Sequence, residues 1–222
     1  MASRKDFEIF LYKNKLNDVT LMEVLEKLTT KTIEMLQKDL NTHVSLRDED
    51  ENIFVFTDGN CKNNGKAKSR GGYGVYFTNN QDSVFYELNT ARLVIKDPTN
   101  QKAELMAIEK LFEIMNDKKE LFGREKSVIV CTDSMYSINC IEKWSKNWLR
   151  NNWKTAKGED VKNAEIIKNI LELKSKLTCV CKINFRHIRS HMSPPANKET
   201  LEYMLWEGNF NVDRMINELL ND

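Results

Sequence analysis

Four carboxylates stand where the surrounding pattern is apolar. Asp58 directly follows the run Ile53-Phe-Val-Phe-Thr57, and Asp133 follows Ser127-Val-Ile-Val-Cys-Thr132. Each therefore sits at the carboxyl end of an expected strand. Glu104 lies at i−4 from Ile108 and i−7 from Leu111, on the apolar stripe of an expected helix. Asp213 lies at i−3 from Ile216, beside the buried stripe of another. Taken singly, each has an ordinary explanation. Asp58-Gly59 is a hairpin turn signal, Asp133 could cap a helix, Glu104 could be a solvated edge residue, and Asp213 a first-turn acid favoured by the helix dipole. Taken together, two strand-end acids and two helix acids directed at the sheet converge at one edge of a domain. Four such groups repel one another unless cations neutralise them. Oxygen donors without Cys or His suit Mg²⁺, with Mn²⁺ able to substitute. Two such ions, about 3.5–4 Å apart, stabilise the attacking and leaving oxygens of a phosphoryl displacement.

The elements that must position these acids change character near residue 50. Residues 1–45 carry a capping box, Thr20 to Glu23, and apolar positions at helical spacing, so an N-terminal helical extension is expected there. Residues 46–52, with "RDEDEN", form a polar linker. The remainder, 53–222, reads as one α/β domain. Strands are expected at 53–57, 72–78 and 83–88, separated by Gly and Asn/Asp turns. A helix follows at 100–116, with Leu105, Ile108, Leu111, Phe112 and Met115 on one stripe. Then come a strand at 127–132, helices at 134–144 and 162–176, a strand at 179–188 and a C-terminal helix. Three antiparallel strands followed by helix–strand–helix–strand–helix describe a mixed five-stranded sheet flanked by helices.

Composition narrows the setting. The chain has 222 residues, 41% hydrophobic and 30% charged, which fits a folded domain rather than a disordered one. Its net charge of +1 means that any surface for nucleic acid must be local. Five irregularly spaced cysteines read as reduced thiols. With no long apolar run and no signal-peptide core, the expectation is an intracellular protein, cytoplasmic or nuclear, not secreted and not in a membrane. A monomer is expected, with residues 1–45 available to a protein partner.

The stretches "FTDGNCKNNG", "TNQKAELMAI", "CTDSMYSINCIEKWSKNWLRNNWKT" and "IRSHMS…GNFNVD" resemble type 1 ribonuclease H, in the form that keeps a basic protrusion. The resemblance covers about residues 52–220 in order, and its third block is the most specific. It implies a ribonuclease H-like fold and endonucleolytic hydrolysis of the RNA strand of RNA–DNA hybrids. It also implies two Mg²⁺ held by Asp58, Glu104, Asp133 and Asp213, with His191 shuttling protons near the leaving group. Asn64, Asn100 and Gln101 would read the RNA strand in the minor groove, and Thr99 and Asn163 would grip a DNA-strand phosphate. Amides suit the first task because the 2′-OH is both donor and acceptor.

The protrusion is also legible without the family. Trp144, Trp148 and Trp153 interleave with Lys143, Lys146, Arg150, Lys154 and Lys157. The tryptophans read as a small aromatic core, and the cations as phosphate contacts. Cys179-x-Cys181 with His187 and His191 raises a zinc site. The alternation of Cys179, Cys181, Ile183 and Phe185 favours ordinary core instead, with His187 packed on the same face.

Three features depart from the family pattern. "PPANKETLEYMLWEG" is an insertion before Asp213, so Glu207 and Glu218 compete with it in register. Asp97 stands where relatives with a full phosphate pocket carry arginine. Residues 1–45 do not resemble the aromatic, basic hybrid-binding module often found before this domain. Two rival functions remain: a non-catalytic hybrid-binding module of the same fold, and a two-metal 3′→5′ exonuclease. The exonuclease class opens with Asp-x-Glu, whereas this chain has Asp58-Gly-Asn60.

Overall fold

The computed structural model describes residues 52–94, 96–123, 127–190 and 192–221. The expected N-terminal helical extension, the linker up to residue 51 and His191 lie outside the described residues. A five-stranded sheet has the order β3-β2-β1-β4-β5. Its strands are β1 (Ile53–Lys62), β2 (Arg70–Tyr76), β3 (Thr90–Val94), β4 (Ser127–Thr132) and β5 (Lys182–His187). The first three pair antiparallel, and β4 and β5 join parallel to β1, so the sheet is mixed.

Alternation along β1 sends successive side chains to opposite faces. Ile53 and Val55 join a core with α1 (Asn100–Asp117) and α4 (Ala164–Leu177). Phe54 and Phe56 face α5 (Leu201–Asn221), against Leu205, Val212, Ile216 and Leu220. The α1 stripe expected from the sequence, Leu105 through Met115, is fully buried. On α5 the close fit is at Gly208, where a Cβ would come within 2.2 Å of the Phe56 ring.

Several boundaries differ from expectation. Asp58-Gly59 is not a turn: β1 runs on to Lys62, and Asp58 pairs with Gly74 inside the ladder. The reversal occurs after it, where Asn63 and Gly65 take up positive φ. Residues 83–88 are not a strand. Tyr86–Leu88 is a 3₁₀ turn, Val84 is exposed, and Phe85 alone of the segment is buried. Asn89 then closes the segment, accepting from Phe77 N at 2.7 Å, and the third strand is Thr90–Val94.

The helix after β4 is longer than 134–144. α2 (Met135–Asn139) passes through a π turn at Cys140–Trp144 into α3 (Ser145–Arg150), so half of the protrusion is helical. At the other end of the domain, β5 starts only at Lys182, and Cys179 is exposed before it rather than on a core face.

Candidate active site

The last parallel pair between β1 and β4 is Phe56 with Cys131. Asp58 and Asp133 each stand two residues beyond it. Beyond that pair the only strand that β1 pairs with is β2, and β4 ends at Thr132, so the sheet opens there. Asp133 does not cap the following helix: Ser134 does, its Oγ accepting from Ser137 N at 3.3 Å. The Asp133 carboxylate is left for the opening, while its backbone carbonyl meets His187 Nε2 at 3.1 Å. His187 is thus exposed at the strand end, not packed in the core as its alternation indicated.

Glu104 enters from α1. A Cβ on Gly59 would lie 2.2 Å from Glu104 N, so β1 and the first turns of α1 meet backbone to backbone. Only glycine permits that approach. One consequence is that Asp58, Glu104 and Asp133 each place a carboxylate oxygen within 4.8 Å of the others. Burial is the main cause of a raised Asp58 pKa, pushed up to about 7, with repulsion from Asp133 and then Asp213 adding to it. Glu104 is raised well above the usual carboxylate range, first by burial, then by Asp58 and Asp133; the Gly59 N–H opposes both shifts. Glu104 Oε2 is buried with no hydrogen-bond partner. A crowded, all-oxygen cluster with an orphaned acceptor fits a divalent cation, whose charge would relieve both the repulsion and the orphan.

Asp213 reaches the same cavity, about 260 Å³ in volume, from the middle of α5. The insertion supplies the first turns of that helix, so the helix-dipole explanation for Asp213 does not hold. It lies outside the 4.8 Å trio but within electrostatic reach of Asp58. Its Oδ1 accepts from Asn217 Nδ2 at 2.9 Å, and Asn217 Oδ1 accepts from Asn60 Nδ2 at 3.2 Å, tying α5 to β1. Neither competitor lines the cavity. Glu218 is exposed, 3.8 Å from Arg214, and Glu207 acts on Tyr76.

Beside this cavity, Asn64, Thr99, Asn100, Gln101 and Asn163 line one open cleft, although they come from three separate segments. Thr99 caps α1, accepting from Lys102 N at 3.1 Å, and Asn100 Oδ1 accepts from Cys61 N at 2.8 Å. Asn100 is itself exposed at the cleft. Asn163 holds a left-handed backbone at the start of α4. Lys162 lines the cleft too, and sequence reasoning missed it although it adjoins Asn163. It supplies a cation where Asp97, exposed in the preceding loop, does not.

On the protrusion, ring contacts run from Tyr136 to Trp144, Trp148 and Trp153. Trp148 and Trp153 pack against the core, whereas Trp144 is 40% exposed, less buried than an aromatic core requires. Lys143, Lys146, Arg150 and Lys157 are exposed. Lys154 differs: it is half-buried and pairs with Asp160 at 2.7 Å. Arg189, Trp206, Asn209 and Phe210 also line the carboxylate cavity, and the sequence reading gave none of them a role.

Comparison with known proteins gives the same picture. The RNase H family model matches residues 50–214. Ribonuclease H1 of Mus musculus is 35% identical over 149 residues, which cover 67% of this chain and 47% of that protein. Ribonuclease H of Clostridium botulinum (strain Hall) is 30% identical over 146 residues, covering 65% of this chain and 87% of that protein. The chain thus spans about half the length of the mammalian relatives it matches. Among solved structures, LC9-RNase H1, a type 1 RNase H with the type 2 active-site motif, superposes with a TM-score of 0.53 at 18% identity, over 78% of this chain and 74% of that one. The PFV RNase H domain gives 0.51 at 20% identity, over 74% and 92%. These two likenesses establish the fold. The family model, matched over most of the chain's length, leads to one conclusion: the chain belongs to the RNase H family.

Proposed function

We propose that this protein is an endoribonuclease that hydrolyses the RNA strand of RNA–DNA hybrids with two Mg²⁺ ions, which Mn²⁺ can replace. The observation that carries the reading is the trio Asp58, Glu104 and Asp133, within 4.8 Å of one another where the sheet opens. Asp213 completes the set from α5. When bound, the two ions would supply activation of water and stabilisation of the leaving oxygen. The chain's own residues do the rest. Asn64, Asn100 and Gln101 present amides for the 2′-OH, the group that separates RNA from DNA. Thr99, Lys162 and Asn163 hold a phosphate of the DNA strand, and the protrusion adds backbone electrostatics. His191 delivers a proton near the leaving group, as the family resemblance implies.

All four carboxylates and both groups of contacts come from one chain, which supports a monomer as the catalytic unit. No assigned ligand falls in residues 1–45, leaving them to a protein partner. Five cysteines at irregular spacing support a reducing compartment, cytoplasmic or nuclear. The test is incubation of the purified chain with labelled hybrid, duplex RNA and duplex DNA in Mg²⁺. Internal cuts in the RNA of the hybrid alone are expected. Binding without cleavage, or trimming from a 3′ end, would replace this reading with one of its rivals.

A further inference from the structure

The carboxylate cavity has a second, chemically different wall. Met192, Trp206 and Phe210 line it together with Arg189, the one cation among its described lining residues. Along α5, Tyr203, Trp206 and Phe210 recur at i, i+3 and i+7, which places them on one helical face. Trp206 and Phe210 are stacked, with centroids 5.3 Å apart and planes 15° from parallel. Tyr203 extends the row at 5.5 Å. Trp206 Nε1–H donates to the Met192 carbonyl at 2.8 Å, so the indole has its polar group satisfied and its orientation fixed. The outer ring is nevertheless open: Phe210 is 49% exposed and Met192 54%. Arg189 is exposed and makes no ion pair with any described residue.

From this wall we infer a subsite for one unpaired nucleotide of the substrate, its base stacked on Phe210 and its phosphate held by Arg189. This rests on the proposed hybrid cleavage and goes beyond it. The fixed aromatic row offers a flat face, which any base accepts regardless of sequence. The neighbouring guanidinium offers a bidentate phosphate contact. Within a continuous duplex the base faces are hidden by their neighbours, so the occupant is an unpaired base where the hybrid passes into a single strand. The same cavity holds the proposed metal ligands, so the unpaired nucleotide lies close to the bond that is cut. Junction-proximal cleavage follows.

The test compares the full chain on a blunt hybrid and on one with a three-nucleotide single-stranded tail. A 2-aminopurine in the tail reports stacking, in chelator, without cleavage. Stacking on one aromatic surface corresponds to about 5- to 150-fold in affinity. The wild type is expected to bind the tailed hybrid tighter within that range, to quench the fluorophore and, in Mg²⁺, to favour cuts near the junction. Phe210→Leu, which keeps apolar bulk, abolishes quenching and brings the tailed-to-blunt ratio to one, while Phe210→Tyr retains both. Arg189→Ala weakens tailed-hybrid binding more than Arg189→Lys. Thermal melts of each variant confirm folding. Equal binding of the two hybrids with no quenching would overturn the subsite. So would self-association that Phe210→Leu abolishes, since the face would then belong to a second copy. Quenching in a protein that cuts no hybrid would instead keep the subsite and refute the catalytic reading.

Discussion

Asp58 and Asp133 stand equally far, two residues, beyond one shared backbone pair, Phe56 with Cys131. The register of β1 against β4 therefore sets the two carboxylates side by side. With side chains alternating at period two, a slip of one residue would turn one of them to the opposite face. What remains is the depth at which Glu104 joins them, and the contact of Gly59 with the backbone of α1 sets it.

Gly59→Ala is expected to remove metal binding and activity together. A Cβ at 2.2 Å from Glu104 N and 2.3 Å from the Ala103 carbonyl carbon meets backbone rather than a movable side chain. Strand and helix must separate, and a fold perturbed in this way is expected to lose about 1–3 kcal/mol. Titration calorimetry with Mg²⁺, alongside thermal melts, measures both. Wild-type metal affinity in a folded Gly59→Ala protein would show that the close approach does not place Glu104.

Stability in the absence of metal should fall as pH rises. The Asp58 carboxyl ionises at about 7 in the fold, against an ordinary value of 3.8. The protonated form is thus favoured by folding. Its contribution is whole below the unfolded value and is lost as pH rises through about 7. Melts in chelator should drop between about pH 4 and pH 7 and level off above it, and saturating Mg²⁺ should flatten the fall because the ion takes the place of the proton. Asp58→Asn should reduce the fall without metal, leaving the part that belongs to Glu104. A metal-free melting temperature that rises over this range would contradict the argument.

Much of this was legible in the sequence, and the failures have physical causes. The α1 stripe is strongly periodic and the strands leading to Asp58 and Asp133 are continuous apolar runs, both of which a buried core enforces. The third strand was misplaced because β3 is an edge strand whose Arg92 and Leu93 face solvent, leaving little alternation. Ser83 to Leu88 has apolar residues enough to imitate a strand, yet Val84 is 66% exposed. Asp213 was found by its local motif, but the insertion hid that it lies mid-helix. Lys162, Arg189 and Trp206 could not be found this way, because only folding brings them to the clefts they line.

The protrusion should act through charge. Replacing Lys143, Lys146, Arg150 and Lys157 by Gln is expected to weaken hybrid binding and reduce the log–log salt slope by roughly 0.9 per lost contact, as for B-form DNA. Lys154→Gln should reduce it less than Lys146→Gln, since Lys154 is already paired with Asp160. Single-turnover cleavage at saturating enzyme should persist in the quadruple variant. An unchanged salt slope would place these residues away from the nucleic acid.

The two histidines near the strand end should separate cleanly. His191→Ala is expected to slow turnover by about 10²–10⁴-fold at saturating hybrid, with the pH–rate profile losing one limb. His187 meets the Asp133 backbone carbonyl, not its carboxylate, so His187→Ala should act on the position of Asp133 and preserve the shape of that profile. Pre-steady-state rates across pH distinguish the two. A lost limb in the His187 variant alone would reverse the assignment.

The central claim is that the carboxylates hold metal for chemistry while other groups hold the substrate. Asp58→Asn and Asp133→Asn, compared with wild type for hybrid binding and for single-turnover cleavage in Mg²⁺, test it most directly. The account predicts that binding survives in both variants and that cleavage falls by orders of magnitude, because the activation of water and the stabilisation of the leaving oxygen fail together. Near-wild-type cleavage by either variant would contradict it.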